Sequence, residues 1–199
     1  MAEITAKMVA ELRARTGAGM MDCKKALDET NGDLDKAVEH LRSKGAAKAE
    51  KRAGRSTSEG VIGSYIHHNG KLAVLVEVAC ETDFVARTDD FQQLAKSLAE
   101  HIAAAAPIAV DKDQVPAEKV ESERRIFSEQ VRAEGKPDHM IDKIVDGKVA
   151  AFYRDVALLH QVWVRDPKKT IGDLVKETAA KTGENIQVKR FVRYQLGEV

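Results

Sequence analysis

Cysteine is nearly absent from this chain of 199 residues: Cys23 and Cys80 stand far apart and outside any CxxC or Cys/His spacing, which suggests neither a disulfide framework nor a zinc site. Aromatic residues reach only 5% and the apolar class leans on alanine, which argues against a dense β-sandwich and for a helix-rich protein. No run approaches the roughly 18 apolar residues of a membrane span. Net charge is also missing: 32 basic residues balance 32 acidic ones, so no global field holds the chain on nucleic acid or an anionic membrane. Any charged partner must meet a local patch. The opening Met1-Ala2-Glu3-Ile4 lacks the basic and apolar regions of a secretory signal, and the cytoplasm is the expected location.

What is present is clear punctuation. Residues 5 to 45 read as three short helices. Thr5 caps the first, whose Met8, Val9 and Leu12 share a side before Gly17 ends it; Met21 to Thr30 form the second, ended by Asn31-Gly32. Asp33 caps the third, where Leu34, Ala37, Val38 and Leu41 follow helical spacing up to a stop at Gly45. Between the first two lies Thr16-Gly17-Ala18-Gly19-Met20-Met21. Methionine both fills cores and lines adaptable binding surfaces, so Met20 and Met21 can pack inside the module or face a partner. Lys44, Lys48, Lys51, Arg52 and Arg55, opposed by Glu50, then read as a linker helix. Charge runs are usually exposed faces, and without interleaved aromatics this one favours a solvated or partner-facing linker over RNA binding.

A hairpin follows, Val61 to His67 pairing with Leu72 to Val78 across Asn69-Gly70. The second strand is a continuous apolar run and is expected to be largely buried. A helix runs from Thr88 to about Ala106 with Phe91, Leu94, Ala95, Leu98, Ala99 and Ile102 on one face. Pro107 stops it. Pro116 starts another, anchored by Val120, Ile126, Phe127 and Val131, and the Gly135-Lys136-Pro137-Asp138 turn returns the chain into a helix carrying Ile141, Ile144, Val145 and Phe152. Leu158 to Val164 is a further apolar run. A helix from Thr170 to about Lys181 and a strand from Asn185 to Tyr194 close the sequence. Ile186, Val188, Phe191 and Val192 need a bulge or register change to share one face of that strand. The fold class is therefore α+β: a helical module at 1–45, a basic linker helix at 46–57, and a core at 58–199 made of a small antiparallel sheet, packed helices and an αα-hairpin at about 117–156.

The most informative run is Cys80-Glu81-Thr82-Asp83-Phe84-Val85-Ala86-Arg87, which closes the hairpin's second strand and opens the next helix. Its Phe84 stands at a corner. Phenylalanine usually folds into the core, whereas an aromatic tip on a rigidly held loop is the residue type best able to anchor an interface. Catalytic patterns are not convincing. Cys80 with His67 or His68 could form a thiol and imidazole pair, but no orienting group or oxyanion site accompanies it. Gly17 and Gly19 are followed by Met20-Met21-Asp22 rather than the Gly-Lys-Ser/Thr of a phosphate loop. The residues describe a binding protein rather than a catalyst of bond making.

Two stretches, Leu12 to Leu27 and Cys80 to Arg87, closely resemble the signatures of the bacterial elongation factor Ts family. The likeness extends through Gly45-Ala46, His67-His68-Asn69 and Gly183-Glu184-Asn185-Ile186. This resemblance implies a guanine nucleotide exchange factor for elongation factor Tu, met in its GDP-bound and nucleotide-free forms. It implies no bond-making chemistry, cofactor or metal, and no direct nucleic acid or membrane partner. It also implies that the N-terminal module is a ubiquitin-associated-like three-helix bundle touching the nucleotide domain of elongation factor Tu, with Arg13, Met20, Met21 and Arg52 as contact candidates. Thr82, Asp83, Phe84 and Val85 correspond to the family's wedge, which enters near the partner's magnesium site. The chain resembles the short form, with one sheet half where longer members have two, and a homodimer through exposed strands is plausible. Arg190 to Tyr194 contain no cysteine, so any such dimer must be noncovalent.

Overall fold

The chain opens with α1 (Ala6–Thr16), α2 (Met20–Glu29) and α3 (Leu34–Arg52). The computed structural model describes residues 4–198, and the side chains of all of these except Ala46 and residues 48–50. The expected absence of a signal at Met1 to Glu3 therefore lies outside the described residues, as do the side chains of Lys48 and Glu50 in the basic run. Thr5 accepts the Met8 N–H at its hydroxyl 3.3 Å away, and Gly17 ends α1 in the left-handed conformation at φ 68°. Asp33 accepts the N–H groups of Asp35 and Lys36, each at 3.1 Å, at the start of α3. Val9, Leu12, Cys23, Ala26, Leu27 and Ala37 form the buried centre of this module.

Gly45 does not stop the third helix. It lies inside α3, which runs on to Arg52, so the expected linker helix is a continuation of the module's last helix. A Cβ at Gly45 would stand 3.0 Å from the Cβ of Ala180, and the glycine here permits close approach rather than a turn.

A three-stranded sheet follows in the order β1 (Glu59–Ile66), β2 (Leu72–Cys80), β5 (Gln187–Gln195). The His67 N–H donates to the Leu72 carbonyl at 2.9 Å, and Gly70 supplies the positive φ, 69°, that the Asn69-Gly70 turn requires. Antiparallel pairing of β5 with β2 is fixed by the Leu196 N–H on the Lys71 carbonyl, 2.9 Å, and by Arg190 on Glu77, 2.7 Å. Strand β2 is not buried throughout. Val74, Val76 and Val78 point inward, but Leu75 is 48% exposed, and Ile62, Ile66 and Tyr194 are exposed as well. By the pleat these four share the outward face. Ile186 precedes β5 and is buried there, so its place in the strand register does not arise.

After β2 come the single-turn helix α4 (Asp83–Ala86) and the long helix α5 (Asp89–Ala105), whose expected apolar face is buried in full. Gly63 on β1 lies against α5, where a Cβ would come within 2.7 Å of the Ala95 carbonyl oxygen. The αα-hairpin consists of α6 (Ala117–Ala133) and α7 (Asp138–Val156). Val131, Ile141, Val145 and Val149 form its buried seam, while Ile126 faces solvent and Phe152 packs instead with Ala109, Val115 and Ala157. A small ribbon of β3 (Val162–Trp163) and β4 (Asp166–Thr170) precedes α8 (Ile171–Thr182). His101 on α5 is fully buried beside it, with Nε2 3.0 Å from Gln161 Oε1 and Nδ1 accepting the Val164 N–H at 3.4 Å.

By internal contacts the chain forms two compact units. One gathers the chain up to Gly60 with Ala79–Leu94 and Val175–Gln187; the other gathers Val61–Val78, Ala95–Leu174 and the chain from Val188. Among the described residues no helix is long and apolar enough to cross a membrane.

Candidate partner-binding site

The corner after β2 is a capped single helical turn. Thr82 has extended backbone and accepts the Val85 N–H at its hydroxyl, 3.4 Å, which starts α4. Thr88 Oγ1 donates to the Val85 carbonyl at 2.8 Å and Gln92 Nε2 to the Ala86 carbonyl at 2.7 Å, closing the other end. Asp83 pairs with Arg87 at 2.8 Å across one turn. Successive helical residues point about 100° apart, so burying Val85 and Ala86 leaves Phe84 outside. Its side chain is 79% exposed while Val85 is 9% exposed. Of the readings open for Phe84, folding back onto the sheet is therefore not the one adopted.

Two carboxylates exchanged between segments brace this turn. Glu184 Oε2 accepts the N–H groups of Glu81 and Thr82, each at 3.0 Å, and its Oε1 takes the Thr82 hydroxyl at 2.6 Å. In return Glu81 Oε1 accepts the Asn185 N–H at 2.7 Å. Asn185, buried, donates from its amide to the carbonyls of Ala53 at 3.1 Å and Arg55 at 2.9 Å, and Arg55 reaches Glu81 at 3.4 Å. The end of α3, the Phe84 turn and the segment after α8 are thus tied through one clasp. The Asn185 N–H, opposed by some desolvation and helped by Arg55 and Arg52, holds the Glu81 carboxyl below the ordinary glutamate value. In the sequence Glu184 and Asn185 stand only as part of the family likeness, with no role of their own. The available signal was Gly183, which ends α8 at φ 79° and sets a carboxylate and an amide immediately past a helix end, ahead of buried Ile186.

The helical module presents its candidates differently. Met20 and Met21 occupy the first turn of α2, after Gly19 at the N-cap, and are 51% and 67% exposed. Neither fills the module's core; Cys23, one turn on, does. Arg13 is exposed in the last turn of α1. Arg52 is half-buried, its guanidinium close to Gly183 and its charge felt by Glu81, so it belongs to the clasp as much as to any surface. The module is fastened to α8 by Arg42 on Glu177 at 3.1 Å and by the approach of Gly17 to Lys181. All the candidates on the module and on the turn fall within the same compact unit.

The imagined thiol and imidazole pair is not formed. Cys80 is buried and donates to the Thr82 carbonyl at 3.2 Å, whereas His67 meets the Tyr65 hydroxyl at 2.8 Å. Burial, and after it the Glu184 charge, push the Cys80 thiol pKa up, away from a reactive thiolate. Among the described residues no cluster of His, Cys, Asp or Glu could hold a metal ion.

The α+β chain exposes an aromatic on a braced turn and two thioethers on the first turn of α2. Comparison with known proteins narrows the class. The model of the family described as Elongation factor TS matches residues 3–198. The Elongation factor Ts of Fervidobacterium nodosum is 58% identical, over 98% of this chain and 100% of that protein. That of Oleidesulfovibrio alaskensis is 58% identical over 99% and 100%, and that of Thermosipho melanesiensis 53% over 98% and 100%. The chain belongs to the elongation factor Ts family, and its work is in the elongation stage of protein biosynthesis.

Proposed function

We propose that this chain is a guanine nucleotide exchange factor that binds elongation factor Tu in its GDP-bound form and drives GDP out. Family membership supports the reading, and one observation carries its mechanism: an exposed Phe84 on a turn that is clasped from both sides. Bound GDP is held through phosphate contacts and the magnesium ion that bridges phosphate to protein. An aromatic wedged between helices near that ion moves its ligands, and packed elements shift between discrete arrangements rather than deforming smoothly. Phe84 is the wedge. Thr82 and Asp83 hold the turn that aims it, and Val85 anchors that turn from below. Met20, Met21 and Arg13 make a second contact on the nucleotide domain, with Arg52 stiffening the link between the two regions.

Linkage constrains the cycle. A factor that weakens GDP binding is itself weakened by GDP in the same ratio, so GTP re-entry expels it and the final nucleotide ratio is unchanged. The chain uses no cofactor and no metal of its own. Its balanced charge supplies no global field for nucleic acid or a membrane, and elongation factor Tu is the partner this reading commits to. A second copy is the partner of the outward sheet face, where Ile62, Ile66, Leu75 and Tyr194 lie beside the Glu77 and Arg190 pair. A two-fold axis makes such a patch its own complement, joining apolar centre to apolar centre and each charge to the opposite one.

Release of fluorescent GDP from purified elongation factor Tu tests the reading. Catalytic amounts of this chain accelerate release, and a folded Phe84→Ala variant does not. No acceleration by the parent chain sinks the exchange-factor reading.

A further inference from the structure

Sulfur in this chain is divided between hidden thiols and open thioethers. Cys23 and Cys80 are fully buried, and Met8 packs against the module core. Oxidants that act on exposed thiolates find none here among the described residues. Met20 and Met21, adjacent on the first turn of α2, expose flexible thioethers, and Met140 on α7, 43% exposed, is a third. The first two lie on the surface assigned above to elongation factor Tu.

We propose that Met20 and Met21 are a reversible oxidation site at which a hydroperoxide switches off docking of the factor. The proposal rests on the exchange reading. The thioether sulfur attacks a peroxide oxygen; the S–O bond forms as the O–O bond breaks, sulfur is oxidised, and a proton moves to the departing oxygen, giving water or an alcohol. A dithiol reverses the step: it becomes a disulfide, the sulfoxide returns to thioether, and the oxygen leaves as water. The physical effect is specific to a contact surface. A sulfoxide is polar and chiral, so burying it against a partner shaped for an apolar, adaptable side chain strands an acceptor without a donor. Away from an interface the same change stays in water and costs the fold little. Both positions are exposed in the free chain, so the factor is vulnerable between rounds of exchange and shielded while its partner covers it.

The test treats the full chain with hydrogen peroxide, removes the excess with catalase, and measures GDP release from untreated elongation factor Tu. Peptide mass spectrometry reads each methionine. Oxidation at Met20 and Met21 is expected to slow release about thirtyfold, on the scale of losing an interface hot spot. The two methionine sulfoxide reductases, one for each epimer, restore it. A variant carrying Met20→Leu and Met21→Leu keeps similar volume without a thioether, and should retain its release rate through peroxide treatment. Unchanged release by a chain oxidised at both positions overturns the proposal, as does equal loss in the leucine variant, which places the lesion elsewhere. Should the leucine variant be inactive before treatment, peroxide footprinting decides: nucleotide-free elongation factor Tu must shield Met20 and Met21 and leave Met140 reactive. Failure of the shield overturns the site. Failure of the exchange reading shows separately, as no acceleration by the untreated chain.

Discussion

Phe84 contributes little to the fold and, on the exchange reading, much to function, because its ring meets solvent while Val85 and Ala86 fill the space beneath. Truncating it to alanine is expected to change unfolding stability by no more than about 0.5 kcal/mol, the usual range for surface positions. The same change should weaken coupling to GDP by roughly 2 kcal/mol, the size of an aromatic hot spot. Thermal unfolding and GDP release measured on one preparation separate the two; a large fall in melting temperature would return Phe84 to the core. What the sequence could say about this residue was limited by type. Phenylalanine is apolar wherever it stands, and only the periodicity of a four-residue helix, too short to display one, decides which of Phe84 and Val85 turns inward. The methionines were ambiguous for the same reason, since an unbranched thioether suits a core or a contact surface equally.

At the scale of elements, the clasp makes a turn into a tool. Glu184→Ala leaves two N–H groups and a hydroxyl without their acceptor. Losing charge-assisted bonds of this kind costs about 1.5–3 kcal/mol where solvent does not replace them. The expected outcome is slower GDP release with a nearly unchanged circular dichroism spectrum, partly recovered in Glu184→Gln, whose amide oxygen can still take the N–H pair. Equal release by Glu184→Ala and parent would remove the clasp from the mechanism. Glu81 adds a pH signature. Its pKa is lowered in the fold, so its contribution is present above the unfolded value of about 4.3 and is lost as pH falls through the lower, folded value. Acid unfolding of a Glu81→Gln variant should lack that component.

His101 gives the opposite end of the chain's chemistry a similar test. Burial lowers its pKa, against the raising effect of the Gln161 contact. The neutral ring fits the site: Nδ1 accepts the Val164 N–H, and Nε2–H donates to Gln161 Oε1, whose amide in turn donates to the Asp155 carbonyl at 2.6 Å. Stability from this cluster is full above the unfolded value of about 6.5 and falls as pH drops toward the folded one. Melting temperature followed from pH 8 to pH 5 should decline in the parent and lie lower but flatter in His101→Leu. Helices with long apolar faces, such as α5, were readable residue by residue because burial repeats every turn. The β3 and β4 ribbon was not, since Asp166-Pro167-Lys168-Lys169-Thr170 carries no apolar alternation and its pairing is set by tertiary contacts. Nor was the run of α3 through Gly45, where the sequence shows a helix-ending residue and only the approach of Ala180 explains its presence.

For the molecule as a whole, the candidates for contact with elongation factor Tu fall in one compact unit and the open sheet face in the other. A division of labour follows if a second copy covers that face. Leu75 lies at its centre strand, flanked on β1 and β5 by outward residues. Leu75→Glu sets a charge opposite its own symmetry mate across a two-fold interface, where like charges and lost apolar burial act together. Sedimentation is then expected to show the parent as a dimer and the variant as a monomer. An unchanged mass for the variant, or a monomeric parent, removes the second copy from the proposal. Exchange measured on the monomer completes the argument. Release at the parent's rate per chain means the unit carrying Phe84, Met20 and Met21 suffices by itself, whereas a loss matching that of Phe84→Ala means the second copy supplies part of the surface that the partner reads.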